Sequence, residues 1–174
     1  MLNLRSILVL FLLATPLAWA EDVAPAATET EAAIPPPAVE PSVYVKKVKG
    51  DFSATYKKVF TALENNGYFV VFEPNIGKNL SNFAQRWGKN YNKNGLEAIR
   101  SLVFCNAWYA NEVSNMDPEM LALCPLHVTL THNKGVTSIL FMRPSQVAVD
   151  SPAKKVVTEL ELDVIRAIEQ GFIP

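Results

Sequence analysis

The sequence predicts an α+β domain, a mainly antiparallel sheet with helices packed on one face. Three observations carry that prediction. Apolar residues recur at helical spacing in two long segments, first at Tyr56, Val59, Phe60 and Leu63 and last at Val157, Leu160, Val164 and Ile168. Leu126 to Thr131 alternates apolar and polar residues, and after the turn Asn133-Lys134-Gly135 the stretch Val136 to Met142 returns, which predicts an antiparallel hairpin. Short apolar runs at Tyr68 to Phe72 and Ile99 to Phe104 supply further strands between the helices.

The remaining elements follow in chain order. Val43 to Val48 alternates around Lys46 and Lys47 and opens the sheet, after which Ser53 caps the first helix. Asn66-Gly67 ends that helix with a residue that tolerates the left-handed conformation. The run YFVVF from Tyr68 to Phe72 lacks alternation, which predicts burial on both faces. Pro74, Asn75 and Gly77 form a loop, and Leu80, Phe83, Ala84 and Trp87 predict one short second helix. The polar run from Gly88 to Gly95 is a loop leading to the Ile99 strand, which delivers Cys105. Beyond it, Pro118 divides a helical stretch in two, because proline removes an interior hydrogen bond and clashes with the preceding turn. Asp117-Pro118 instead suits the cap and first position of a new helix. Ser151-Pro152 starts the closing helix and Gly171 ends it.

The ends of the chain divide it into three parts. Residues 1–20 have a basic start at Arg5, an apolar run from Ile7 to Leu13, and the ending Ala18-Trp19-Ala20, the pattern of a signal peptide cleaved before Glu21. The apolar run is shorter than the ~20 residues that cross a bilayer, so no transmembrane segment is expected after cleavage. Residues 21–41 are rich in Ala, Pro and Glu and hold five acids and no base, which predicts a disordered tether. Residues 42–174 form one domain with fifteen bases and twelve acids. An excess of three positive charges, dispersed along the chain, is too small to predict nucleic-acid binding, which needs a clustered basic face, so no nucleic-acid partner is expected. The expected location is the periplasm.

With these elements placed, Gly50 to Pro144 resembles the bacterial domain-of-unknown-function family 302. The resemblance rests on Leu63 to Gly67 with Tyr68 to Phe72, on Phe104-Cys105-Asn106, on Asp117-Pro118, on Leu123-Cys124-Pro125, and on Met142-Arg143-Pro144. Two positions depart from the family pattern: Ala107 stands where Cys-Asn is followed by proline, and Pro125 follows its cysteine rather than preceding it. The resemblance implies a fold similar to that of the TATA-binding protein and implies no reaction. The closing helix and the tether fall outside it.

The chemistry centres on the only two cysteines, Cys105 and Cys124. An oxidising compartment and an even cysteine count predict a disulfide between them. The break at Asp117-Pro118 lets one short helix lead out and another return, so that Cys124 re-enters the sheet near Cys105, within the ~7 Å between Cα atoms that bonding needs. Closing this loop would stabilise the fold by roughly 3 kcal/mol. The competing reading is a redox or soft-metal accessory site for copper or zinc, built from Cys105, Cys124, His127 and Met142. No catalytic residue is assigned: His127 is odd-spaced from Cys124, so their side chains diverge, and the carboxylates fit helix caps and faces. His127 and His132 are otherwise placed at a solvent-facing strand edge. Asn75-Ile76-Gly77-Lys78-Asn79 lacks the second glycine of a phosphate-binding loop and is read as a loop and cap. Asn106, Trp108 and Tyr109 follow a strand end, where side chains line clefts between sheet and helices. The function expected is that of a non-enzymatic domain without a cofactor, binding a small apolar ligand or an envelope protein through that cleft.

Overall fold

The computed structural model describes residues 41–173. The expected signal peptide (1–20) and all of the expected tether (21–41) except Pro41 lie outside the described residues. The strands are β1 (Val43–Lys49), β2 (Phe69–Phe72), β3 (Ala98–Cys105), β4 (Leu126–Asn133) and β5 (Val136–Met142). They form a single sheet in the order β1-β5-β4-β3-β2, with every neighbouring pair antiparallel. The helices are α1 (Phe52–Asn65), α2 (Ile76–Ser81), α3 (Ala84–Trp87), α4 (Ala107–Met116) and α5 (Lys154–Gln170). A 3-10 segment at Pro118–Leu123 follows α4.

Alternation places the core. Leu102 and Phe104 of β3, Val128 and Leu130 of β4, and Ile139 and Phe141 of β5 share one face of the sheet and are fully or almost fully buried. Over them pack Val59 and Leu63 of α1 and Val164 and Ile168 of α5, the apolar stripes read from the spacing. A second cluster joins Val113 of α4 to Val156 and Val157 of α5, with Met120 and Leu123 of the 3-10 segment against it. The α+β architecture with α1 and α5 on one face of an antiparallel sheet is therefore as the sequence predicted.

Four local expectations are corrected. The cap of α1 is Asp51, whose side chain accepts the Ala54 N–H at 2.7 Å, and Ser53 lies inside the first turn. The run Tyr68–Phe72 is not a central strand: Tyr68 is buried, but among the described residues β2 is the sheet edge, pairing only with β3, and Phe69, Val71 and Phe72 are exposed. Leu80, Phe83, Ala84 and Trp87 do not make one helix: Leu80 falls on α2, Ala84 and Trp87 on α3 and Phe83 at the cap between them, and neither short helix has a buried residue. The stretch after Asp117-Pro118 is 3-10 rather than α. Its cap is as predicted, since Asp117 Oδ1 accepts the Glu119 N–H at 3.2 Å.

Two polar links tie the helical layer to the sheet. The Tyr68 hydroxyl donates to Asp163 Oδ2 at 2.9 Å, joining the start of β2 to α5. Glu161 on α5 is 3% exposed and accepts from Arg143 Nη1 at 2.7 Å and from the Ser145 N–H at 3.0 Å. A buried carboxylate with two donors is tolerated because both replace water, and removing it leaves the buried Ser145 amide without its acceptor and takes a carboxylate away from Arg143. Glu161→Ala is therefore expected to cost about 3 kcal/mol or more of folding stability, read as a lowered urea midpoint at unchanged slope.

Candidate functional site

The site begins where β3 ends. Asn106 caps α4, its Oδ1 accepting the Tyr109 N–H at 3.1 Å, while its Nδ2 donates to Gly67 O at 3.0 Å. One side chain thus joins the start of α4 to the turn between α1 and β2. Gly67 has φ +77°, a left-handed conformation that glycine adopts without a Cβ penalty. At the far end of α4, Asp117 accepts a hydrogen bond from the Ser151 hydroxyl at 2.5 Å, which fixes the point where the excursion turns back. The chain then re-enters the sheet at Leu126, opposite Phe104, so β4 runs antiparallel to β3.

This return brings the cysteines together. Both are free thiols, half-buried, and both line a narrow apolar cleft with Tyr109, Val113 and Leu160. Burial pushes the Cys124 thiol up, and the neighbouring Cys105 thiol pushes it further in the same direction. The peptide bond between Cys124 and Pro125 is cis. The cleft encloses only about 10 Å³, no more than one water molecule needs.

Of the three residues read as ligand-binding, two line this cleft. Asn106 does so from the cap of α4, and Tyr109 while stacked against Tyr68, with ring centroids 6.5 Å apart and planes at 11°. Trp108 does not. It meets Tyr109 edge-on at 4.8 Å and is 59% exposed.

The four residues of the metal reading are divided between two places. His127 and Met142 line a separate cleft of about 150 Å³ with Pro125 and Pro144, apart from the cysteine pair. Among the described residues no three of His, Cys, Asp and Glu gather as a metal-binding group. His132 is not at a solvent-facing edge. Its strand is internal, its ring meets Phe52 at 5.7 Å, and its Nδ1 lies 2.8 Å from Thr137 Oγ1. Parity explains the difference, because His132 falls on the same face as Leu126, Val128 and Leu130.

Sequence reasoning missed Arg100. It follows Ile99 on β3, facing α1, where its guanidinium sits 4.1 Å from the Tyr56 ring centroid and 3.6 Å from Glu73 Oε2. The signal available was an arginine among the core-facing positions of a strand.

The raised Cys124 thiol has a sign consequence. A group whose folded pKa exceeds its unfolded value, about 8.5 for cysteine, holds its contribution fully below that value and loses it as pH rises. In reduced protein the stability advantage of wild type over Cys124→Ala should therefore hold below about pH 8.5 and shrink as the pH rises above it, measured by urea unfolding at each pH.

A family model described as a domain of unknown function, DUF302, matches residues 44–171. No curated protein matches the chain. Among solved structures, the crystal structure of an uncharacterized conserved protein DUF302 from Bacillus stearothermophilus is similar, with TM-score 0.61 and 18% sequence identity. The likeness covers 74% of this chain and 97% of that one, and at such identity it bears on fold alone. The family match extends past Pro144 to take in α5, so the closing helix belongs to the family domain rather than lying outside it. The chain is a member of the DUF302 family.

Proposed function

We propose that this protein is a non-enzymatic binding domain of the cell envelope, exported to the periplasm by residues 1–20 and tethered by 21–41. Its occupant is an apolar segment of another envelope protein, received where β2 meets the start of α4. The observation that carries this reading is the exposure of Phe69, Val71, Phe72 and Trp108, at 59%, 63%, 64% and 59%. Large apolar side chains left in water at one corner favour association, and exposed Trp and Phe supply anchor area at low entropic cost. Phe69 pairs with Cys105 across β2 and β3, and the Asn106–Gly67 hydrogen bond holds Trp108 beside the same turn.

Two further features favour a protein over a small apolar ligand. The neighbouring cysteine cleft is too small to hold a ligand as it stands. The β2 edge is also partly covered, since the Val70 N–H donates to Glu64 Oε1 at 2.7 Å. A partner therefore meets β2 through its side chains more than by adding a strand. A photo-crosslinking residue placed at Phe69 or Trp108 should give the same discrete adduct with one envelope protein in cells. No adduct should form from Lys155, which lies outside this corner on α5. Equal labelling from all three positions, or from none, would overturn the reading.

A second reading, a thiol role, is favoured by the adjacency of Cys105 and Cys124. We infer that export oxidises the pair to a disulfide that clamps the return of the α4 excursion, and that a free, redox-active pair is the competing state. Intact mass of periplasmic protein, alkylated without reduction, is expected to show no added alkyl group. Two added groups would show that the thiols remain reduced.

A further inference from the structure

A roomy cleft lies at the other end of β3 from Cys105. It encloses about 740 Å³, within the roughly 300–1,000 Å³ of small-molecule sites. Its walls are the start of α1, the first residues of β3, and the excursion from Asn75 to Glu97 that folds over them. Nothing in the reading of the α4 corner involves this place.

The wall is rich in donors. Lys78, Lys93 and Arg100 line it, against one carboxylate, Glu97. That carboxylate is already engaged: Oε1 accepts the Lys134 N–H at 3.2 Å and Oε2 lies 3.7 Å from His132. Among the described residues neither Lys78 nor Lys93 has an ion pair. Arg100 is held by Tyr56 and Glu73, yet its Nε is buried with no hydrogen-bond partner. Leaving a buried guanidinium donor unpaired is costly, so a ligand oxygen that reached it would relieve that cost. The side-chain amides of Asn90 and Asn94 line the same cleft and make no hydrogen bond among the described residues.

The remaining surface is aromatic. Trp87 is stacked on Phe83 with ring centroids 5.1 Å apart, which holds its indole in place, and Tyr91 and Phe52 contribute flat apolar area. Fixed aromatic faces suit the apolar C–H face of a ring, unpaired amides suit hydroxyls, and the cations suit a carboxylate. A bare inorganic anion would use the cations and leave the aromatic and amide walls unfilled.

We infer that this cleft binds a small hydroxylated carboxylate of the acidic-sugar class, with Arg100, Lys78 and Lys93 meeting the carboxylate and Asn90 and Asn94 the hydroxyls. The test is titration of the full chain with glucuronate, glucose, acetate and phosphate, followed by backbone amide shifts. Glucuronate is expected to move the amides of Lys78, Lys93 and Ile99 in a saturable way. Glucose and acetate are expected to bind at least about tenfold more weakly, each lacking one half of the recognition. Because Arg100 also packs on Tyr56, the variant of choice is Lys78→Gln with Lys93→Gln, both at the surface. That pair should keep the wild-type amide spectrum elsewhere and weaken glucuronate at least about tenfold. Absence of saturable glucuronate binding, equal binding of glucose, tighter binding of phosphate, or unchanged affinity in the double variant would each overturn the inference.

Discussion

The amide of Asn106 spends both ends on backbone at the one point where β3, α4 and the α1–β2 turn meet. That arrangement sets where α4 starts, and with it the position of Trp108, the stacking of Tyr109 on Tyr68, and the cleft above Cys105. A hydrogen-bonded side chain that satisfies two backbone groups at once cannot be replaced by packing alone, since each orphaned group costs roughly 1–3 kcal/mol when buried. The same point therefore bears on the fold and on the corner through which the domain is proposed to act.

The two ends of β3 present opposite chemistries. At Cys105 the surroundings are apolar and uncharged, closed to water in the cleft and open to solvent along β2. At Ala98 to Arg100 the surroundings are cationic, amide-rich and roomy. An apolar surface associates with little dependence on salt, whereas a cationic cleft is screened within about 8 Å at physiological ionic strength. Salt therefore separates interactions at the two places.

An exposed edge strand with the sequence FVVF is a hazard for self-association. Here it is short, interrupted by a register shift between Val70 and Phe72, and covered at Val70 by the Glu64 carboxylate. These features blunt the backbone edge while leaving the Phe69 and Phe72 side chains available. An apolar contact surface and resistance to strand pairing coexist because side chains and backbone of the same strand point in different directions.

The β4–β5 hairpin, the apolar stripes of α1 and α5, and the break at Asp117-Pro118 were legible in the sequence because each is a local matter: two-residue alternation, 3.6-residue spacing, and the missing proline N–H. The adjacency of Cys105 and Cys124 was legible too, since that break leaves few routes back to the sheet. What neighbours decide was not. An apolar run such as Tyr68 to Phe72 looks alike at the centre or the edge of a sheet, and only the strand order, set by long-range pairing, placed it at the edge. His132 read as a surface residue and Arg100 drew no reading, until strand parity turned both toward α1, where Phe52 and Tyr56, distant in sequence, meet them. The Asn-rich loop after Trp87 looked like a plain connection, and it became the wall of a cleft only where it folded over β3 and Phe52. Local chemistry determined the elements, and tertiary packing decided which of their faces meet water, because exposure depends on residues that the local pattern does not contain.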